Sequence, residues 1–276
     1  MMDYTSVEMM TVAASRALQS NDICFAGVGP PSEACNLARL VHAPGITLIY
    51  ESGAVRARPD VLPLSVGDGE LCETALNTVS VAEMFRYWLQ GGNIPIGFLG
   101  AAQIDRFGNI NTTVVGDYRH PRIRLPGGGG APEIAGSCGQ VYIIVKQSRR
   151  GFVRELDFVT TFGHGSGGKS RQETGFATAG PTIVFTDMAV WRPDPRTKEL
   201  SVVSLHAGVS REQMQNSVGW EIKYADKVEE TPVPTPIELE RLRALHSRTR
   251  AAHSGRHQGL IKAQASRPDH RARNTG

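Results

Sequence analysis

The pattern of apolar and polar residues in the first fifty positions predicts short buried strands that alternate with helices. Apolar runs at residues 23–28 and 46–50 are closed by glycine or proline, as is typical of buried strands. Between them, Ser32 is predicted to cap a helix that ends at Val41. Before them, Thr5 and Glu8 have capping-box spacing, which predicts a helix over residues 7–18. This order favours parallel strand pairing and an α/β fold.

The alternation continues through most of the remaining chain. Ser80 is predicted to cap a helix that ends at Leu89, and a late helix is predicted over residues 237–246. Further strands are predicted at residues 94–99, 110–115, 141–145 and 183–186. We find no internal repeat and no linker that divides residues 1–246. The sequence therefore predicts one α/β domain with an open, mostly parallel sheet flanked by helices.

Charge changes this picture only at the C-terminal end. The 276 residues carry a net charge of +3, which by itself indicates no partner. Basic residues are concentrated after Arg248, namely Arg250, Arg256, Lys262, Arg267, Arg271 and Arg273. Almost no apolar residue and no aromatic residue for base stacking accompanies them. We predict that residues 247–276 are a disordered, solvated tail and that the protein binds neither nucleic acid nor membrane.

The cysteines and the N-terminus indicate the compartment. Cys24, Cys35, Cys72 and Cys138 have neither CxxC spacing nor paired histidines nearby, so we expect reduced thiols and no metal site. The N-terminal segment has acidic residues and no basic region of a signal peptide. No apolar stretch approaches the length of a membrane span. These features predict a cytoplasmic protein.

A carboxylate follows directly on the second predicted strand. Glu51 comes after the apolar run at residues 46–50 and is followed by Ser52 and Gly53, a turn of small residues. In open α/β sheets, ligands bind at the carboxyl ends of the strands, so a glutamate there points into a crevice from a rigid element. The structural alternative is a surface or capping residue, which is the commoner role of a glutamate at a strand end.

A run of four glycines at residues 127–130 is the second candidate site. Such a run is costly in conformational entropy, about 0.5–1 kcal/mol per glycine relative to alanine, and often exists because a ligand approaches the backbone. If a helix begins at Ala131, the loop offers free N–H groups to an oxyanion or a phosphate. A merely flexible loop is the alternative. The run does not match a P-loop, and the segment Gly27-Val28-Gly29 lacks the third glycine of a dinucleotide fingerprint.

Three uncharged polar residues form the third candidate group. Gln103, Asn109 and Asn111 lie beside apolar strands and flank a predicted turn at residues 105–108. They are either turn caps, the commoner case, or hydrogen-bond donors to a bound acyl group.

Together these segments resemble the beta subunits of class I coenzyme A transferases of the glutaconate type. The resemblance spans roughly residues 5–225, and it depends on the order and spacing of several motifs rather than on one of them. The motifs lie at residues 27–31, 43–44, 51–53, 65–68, 103–111, 116–121, 127–131, 157–160 and 163–168.

The resemblance implies a CoA-transferase-like fold and a covalent mechanism. Glu51 occupies the position of the family's nucleophile, which attacks an acyl-CoA thioester and passes through a glutamyl-CoA thioester. Gly129 and Gly130 are the candidates for the N–H donors that stabilise the oxyanions, and Gln103, Asn109 and Asn111 are candidate contacts to CoA or acyl group. The resemblance also implies an alpha subunit, in a heterodimer or heterotetramer whose active site lies at the interface. It implies a CoA thioester as substrate, with no permanently bound cofactor and no metal.

Two other functions stay open. Some relatives on this scaffold are CoA-thioester hydrolases that open steroid-derived rings, or decarboxylases, but they lack the glutamate that this chain keeps as Glu51. A non-enzymatic effector-binding module is the other alternative, although it would need a helix-turn-helix segment, which the sequence lacks. Arg56 and Arg58 follow the glutamate and are either solvated loop residues or partners for the distal carboxylate of a dicarboxylic substrate.

Overall fold

The strands of the structure are short, and their bounds agree with most of the predicted apolar runs. The structure, a computed structural model, describes residues 3–265, with side chains up to residue 254. Its main sheet contains β1 (Ile23–Phe25), β2 (Thr47–Ile49), β3 (Ala54–Val55), β4 (Asn77–Thr78), β5 (Ile96–Leu99), β10 (Gln140–Ile144), β11 (Pro181–Phe185), β12 (Ala189–Pro193), β13 (Leu200–Leu205) and β14 (Lys223–Glu230). Two separate hairpins consist of β6 (Gln103–Ile104) with β7 (Ile110–Asn111) and of β8 (Val114–Gly116) with β9 (Pro121–Arg124).

Five parallel strands form the centre of the main sheet. The strand order is β14-β13-β12-β11-β10-β5-β1-β2-β3-β4. Strands β11, β10, β5, β1 and β2 pair in parallel, as do β13 and β14. The pairs β11–β12, β12–β13, β2–β3 and β3–β4 are antiparallel. The prediction of an open, mostly parallel sheet is therefore confirmed.

Helices cover both faces of the sheet. They are α1 (Ser6–Arg16), α2 (Pro30–Val41), α3 (Gly69–Glu73), α4 (Val81–Glu83), which continues as a π-helical segment (Met84–Leu89), α5 (Ala131–Ser137), α6 (Ser170–Glu173), α7 (Arg211–Asn216) and α8 (Pro236–Ala265). The capping box of Thr5 and Glu8 and the Ser80 cap form as predicted. Among residues 3–265, no helix is both long and apolar enough to cross a membrane.

Alternating side chains of the strands divide the core into two layers. Cys24, Leu48 and Tyr50 are buried in the layer that includes α1 and α2, whereas Phe25 and Ile49 are buried in the opposite layer, with the π-helical segment and α5. Neighbouring side chains of a strand point to opposite faces, so residues two apart share a face. Glu51 comes two residues after Ile49 and therefore lies on the face of the π-helical segment. The carboxylate is thereby directed toward one particular group of neighbours.

Two predicted elements differ from the structure for local reasons. Helix α2 begins at Pro30, after Gly29 with φ +73°, and Ser32 lies inside the helix, where its hydroxyl is 2.9 Å from the Tyr50 hydroxyl. Proline with its fixed φ is favourable in the first helical turn, which moves the helix start upstream. The single strand predicted at residues 110–115 is divided, because Asn111 Oδ1 accepts the N–H groups of Thr113 and Val114 and bends the chain.

The predicted boundary at residue 247 lies inside a helix. Helix α8 runs from Pro236 to Ala265, well beyond the predicted end at residue 246. Residues just after the boundary contact the domain: Thr249 Oγ1 accepts the Leu62 N–H at 2.9 Å, and Arg248 Nε donates to the Asp60 carbonyl at 3.1 Å. The prediction that the chain is disordered from residue 247 is therefore wrong for residues 247–265, which belong to helix α8. Residues 266–276 of the predicted tail lie outside the described residues.

Candidate active site

Glu51 lies on a tight turn between β2 and β3, at the carboxyl end of β2. The Gly53 N–H donates to the Tyr50 carbonyl at 2.9 Å, and the Tyr50 N–H donates to the Ala54 carbonyl at 3.0 Å, so three residues reverse the chain. Tyr50 anchors the strand from below: it is fully buried, burial raises its pKa to about 12, and its hydroxyl bonds to Ser32. The glutamate is therefore held by a rigid backbone.

The turn after Glu51 accepts only glycine at its third position. Gly53 has φ +99°, and a Cβ atom there would lie 1.9 Å from the Val79 carbonyl oxygen. The Val79 N–H in turn donates to the Gly53 carbonyl at 3.0 Å. The turn is thus fastened to the residue that precedes the Ser80 helix cap, a link that the sequence alone did not reveal.

The Glu51 side chain is partly exposed and is not used to hold the fold together. Within the described part of the chain, its carboxylate makes neither a hydrogen bond nor an ion pair with protein groups. Its Oε1 lies beside Gly130, where an added Cβ atom would be 2.9 Å from that oxygen. A carboxylate on a rigid turn, without a protein partner among the described residues, is a group that can act as a nucleophile.

The glycine loop at residues 127–130 approaches the glutamate through its last member. The loop leads into α5, which begins at Ala131, and the Ile134 N–H donates to the Gly130 carbonyl at 3.0 Å. Gly130 has φ −82°, so the absence of a side chain there serves close approach rather than backbone conformation. Within the described residues, the N–H groups of Gly129 and Gly130 have no protein acceptor, and the structure brings this loop together with Glu51.

Gln103 and Asn111 are bonded to each other, and Asn111 directly precedes the residue that fixes the start of the glycine loop. Asn111 Nδ2 donates to Gln103 Oε1 at 2.8 Å and to the Val114 carbonyl, and its Oδ1 accepts two N–H groups. The neighbouring Thr112 carbonyl accepts the Gly127 N–H at 2.8 Å, which fixes the start of the loop. Both donors of the Asn111 amide are therefore already used within the protein.

Asn109 is likewise committed to loop structure. Its Nδ2 donates to Asp105 Oδ2 and to the Gly165 carbonyl, both at 2.8 Å, and its Oδ1 accepts the N–H groups of Gly163 and Gly165. An asparagine amide has two donors and one acceptor oxygen, and all of them are occupied here. We infer structural roles for Asn109 and Asn111, and neither residue enters the proposed site.

Phe85, which the sequence did not single out, lies near the candidate nucleophile. A Cβ atom on Gly130 would be 2.8 Å from Phe85 Cζ as well as 2.9 Å from Glu51 Oε1, so the three residues meet at one point. The available signal was the aromatic run Phe85-Arg86-Tyr87-Trp88 in a predicted helix. This run was insufficient to identify Phe85 as a site residue, because aromatic runs in helices mostly pack into the core.

The two arginines after the glutamate lead away from it. Strand β3 is antiparallel to β2, so the chain after Val55 returns toward the amino end of the sheet. Arg58 Nη2 donates to the carbonyl of Pro44, which precedes β2, at 2.7 Å. Arg56 lines a shallow surface pocket together with Arg58. This geometry favours the interpretation of both as surface residues over contact with a substrate at Glu51.

The buried histidines are bonded within the fold. His164 Nε2 lies 2.7 Å from the Pro181 carbonyl oxygen, and His206 bonds to the Thr231 hydroxyl and the Thr186 carbonyl. Burial lowers the pKa of both rings, so they are neutral at pH 7. In the part of the chain that the structure describes, no group of three His, Cys, Asp or Glu residues could hold a metal ion.

Comparison with known proteins identifies the family that this fold and site define. The family model described as coenzyme A transferase matches residues 7–217. The chain belongs to the coenzyme A transferase family and is the beta subunit of a CoA-transferase, as the sequence predicted.

Individual relatives agree with this assignment. The chain is 58% identical to the beta subunit of the 3-oxoadipate CoA-transferase of Pseudomonas knackmussii, over 91% of this chain and 96% of the relative. It is 32% identical to the beta subunit of the glutaconate CoA-transferase of Acidaminococcus fermentans, over 87% of this chain and 92% of the relative. The crystal structure of glutaconate coenzyme A-transferase from the same organism superposes with a TM-score of 0.82 at 30% identity, covering 87% of this chain and 94% of that chain.

Proposed function

We propose that this chain is the beta subunit of a 3-oxoadipate CoA-transferase and that Glu51 is its nucleophile. The observation that carries the mechanism is the free Glu51 carboxylate, held at the carboxyl end of β2 against the Gly130 backbone. The 58% identity to one subunit of a 3-oxoadipate CoA-transferase, over nearly the whole length of both chains, supports the substrate. CoA thioesters are the substrates, and no further cofactor is required.

The reaction proceeds in two covalent halves. Glu51 attacks the acyl-CoA carbonyl, forming an acyl-glutamyl anhydride as the C–S bond breaks and CoA leaves as thiolate. The thiolate attacks the glutamyl carbonyl carbon, which releases the first carboxylate and leaves a glutamyl-CoA thioester. The acceptor carboxylate then attacks this thioester, and the same steps in reverse order give the new acyl-CoA and free Glu51.

The glycine loop supplies electrostatic stabilisation in this proposal. Each step passes through a tetrahedral oxyanion, and preorganised N–H donors stabilise such charges by about 3 kcal/mol each in comparable sites. The N–H groups of Gly129 and Gly130 are the donors we assign, because they have no protein acceptor within the described residues and Gly130 lies close to the Glu51 carboxylate. Gln103 and Asn111 hold the base of that loop rather than the substrate.

An alpha subunit completes the enzyme. Both relatives are named as single subunits of a CoA-transferase, which supports a partner chain and an active site at the interface, in a heterodimer or a heterotetramer. We expect the isolated chain to have no transferase activity, and we place the complex in the cytoplasm. Turnover by the purified single chain would contradict this part of the proposal.

Trapping of the intermediate tests the mechanism. The complex of both subunits is incubated with an acyl-CoA, reduced with borohydride, and analysed by peptide mass spectrometry. Reduction of the Glu51 side chain, absent in Glu51→Gln, is the expected result. Hydrolysis or decarboxylation of the acyl-CoA with Glu51 unmodified would instead indicate one of the two alternative activities of this scaffold.

Acceptor competition tests the substrate. Transfer from one common acyl-CoA donor to 3-oxoadipate is measured beside transfer to glutaconate, adipate and acetate. We expect 3-oxoadipate to have the highest kcat/KM of the four acceptors. An equal or higher value for glutaconate would reject the substrate and leave the glutamyl mechanism untouched.

A further inference from the structure

Phe85 is the apolar neighbour of the Glu51 carboxylate. The position that a Gly130 Cβ would take lies 2.8 Å from Phe85 Cζ and 2.9 Å from Glu51 Oε1, so the ring edge and the carboxylate cannot be more than about 6 Å apart. The edge of an aromatic ring carries the positive end of its quadrupole, so it tolerates a neighbouring carboxylate. The aromatic edge therefore lies within about 6 Å of the nucleophile, on the side of Gly130.

The position of the Phe85 ring is fixed from beneath. The ring packs edge-on against Phe25, the last residue of β1, with centroids 6.2 Å apart and planes at 72°. Phe25 is buried and is paired with Ile49 in the neighbouring strand β2. Phe85 thus lies over the carboxyl ends of the two strands beside Glu51.

A rare helix geometry presents this ring to the site. Residues Met84–Leu89 form a π-helical segment, in which the Gln90 N–H donates to the Phe85 carbonyl five residues earlier at 2.9 Å. Met84 and Leu89 are fully buried and anchor the segment. Short π-helical segments are intrinsically unfavourable and occur frequently at functional sites. Here the segment places Phe85 near the nucleophile while Met84 and Leu89 remain in the core.

The same segment is fastened to the turn that carries the nucleophile. The Val79 N–H donates to the Gly53 carbonyl at 3.0 Å, and Val79 immediately precedes the Ser80 cap of the helix. The Glu51 turn and the helix that carries Phe85 are therefore held as one unit.

We propose that Phe85 shields the covalent intermediates on Glu51 from water. The inference rests on the proposed function, because it concerns the lifetime of the anhydride and of the glutamyl-CoA thioester. Exclusion of water from an active site prevents hydrolysis of reactive intermediates. A transferase needs this protection more than a hydrolase does, since its intermediate must persist until an acceptor carboxylate arrives.

The side reaction that Phe85 suppresses is simple hydrolysis. A water oxygen attacks the glutamyl carbonyl carbon, the C–S bond breaks, and the CoA thiolate takes up a proton. The products are free CoA and the restored Glu51 carboxylate, without any product acyl-CoA. The ratio of transfer to hydrolysis therefore measures the shielding, whereas a loss of general stability changes both rates together.

The test compares Phe85→Ala and Phe85→Leu in the two-subunit complex with Tyr87→Ala. Tyr87 lies on the same π-helical segment, but its side chain is 67% exposed to solvent, which makes it a matched control. With an acyl-CoA donor and an acceptor acid, free CoA and product acyl-CoA are measured separately. We expect Phe85→Ala to raise the ratio of hydrolysis to transfer by at least about tenfold. Phe85→Leu has a smaller effect, and Tyr87→Ala leaves the ratio unchanged.

The outcomes separate this inference from the proposed function. If borohydride labels Glu51 in every variant but Phe85→Ala leaves the ratio unchanged, the shielding role is wrong and the mechanism stands. If Glu51 is never labelled in the unsubstituted complex, the mechanism itself fails. Should Phe85→Ala unfold at the assay temperature, the ratio for Phe85→Leu decides, and an unchanged ratio there overturns the shielding role.

Discussion

Glu51 and the pair Asn109 and Asn111 were all candidate site residues in the sequence, yet their side chains have opposite hydrogen-bonding states in the structure. Glu51 is an ionisable side chain whose carboxylate has no protein partner within the described residues. Asn109 and Asn111 are buried, and their amide groups are occupied by neighbouring loops and strands. The carboxylate without a protein partner remains available for chemistry, whereas the two bonded amides hold strands and loops of the fold together.

The difference teaches that hydrogen-bond satisfaction separates a reactive group from a structural one. A buried amide with partners stabilises the fold, and leaving such a group unpaired costs about 1–3 kcal/mol. A partly exposed carboxylate on a rigid turn incurs less of this penalty because water reaches it. Four substitutions test this contrast, and the first has the largest expected effect.

Substitution of the nucleophile produces the largest loss of activity with little loss of stability. Glu51→Gln keeps the shape of the side chain but removes the nucleophile, so we expect kcat to fall by at least about 10⁴-fold. Because the carboxylate makes no bond within the described residues, the free energy of unfolding should change by less than about 0.5 kcal/mol. Steady-state kinetics and thermal denaturation of the complex measure the two effects. A variant with substantial residual transfer would exclude Glu51 as nucleophile.

A single methyl group on the glycine loop gives the next largest effect. Gly130→Ala introduces no backbone strain at φ −82°, but its Cβ would meet Glu51 Oε1 and the Phe85 ring at under 3 Å. We expect kcat to fall by about a hundredfold, because the carboxylate and the loop N–H groups are displaced. Gly69→Ala is the matched control, since nothing lies within 4 Å of its added Cβ. Equal activity of the two variants would contradict close approach at Gly130.

Removal of a satisfied amide affects stability instead. Asn109→Ala leaves the N–H groups of Gly163 and Gly165 without their acceptor, so we expect a loss of about 2–3 kcal/mol in the free energy of unfolding. Below the unfolding temperature, KM should remain close to that of the unsubstituted enzyme. Asn93→Ala, which removes one exposed bond to the Tyr87 carbonyl, is the control for denaturation experiments. A large rise in KM for Asn109→Ala without a loss of stability would show that Asn109 contacts the substrate.

The smallest effect on activity is expected for Arg58, at the end of the sheet opposite to Glu51. Arg58 bonds to the Pro44 carbonyl near the amino end of β2, on the side opposite to Glu51. Arg58→Ala should therefore change KM for a dicarboxylic acceptor by less than about threefold. Acceptor titration at saturating acyl-CoA gives this number directly. A tenfold increase that is confined to dicarboxylic acceptors would show that Arg58 contacts the substrate after all.

Local patterns in the sequence were sufficient for the central elements of the fold. The apolar runs that became β1, β2, β5, β10 and β11, and the caps at Thr5 and Ser80, depend on neighbouring residues and were predicted correctly within a few positions. The errors arose where distant contacts compete with local signals. Ser32 was predicted as a cap, but its hydroxyl is taken by Tyr50, and helix α8 continues past residue 246, where Thr249 and Arg248 reach Leu62 and Asp60.

The sequence by itself determined the α/β class, the family and the position of Glu51 at a strand end, because strand periodicity and motif order are properties of consecutive residues. Only the tertiary structure decided which candidate site residues lie close together. Gly130 and Phe85 are far from Glu51 in the chain but near it in space. The side-chain amide of Asn109, a candidate from the segment at residues 103–111, is instead fully hydrogen-bonded to neighbouring loops. Hydrogen-bond satisfaction and close backbone approach depend on groups that only folding brings together, and no local pattern records them.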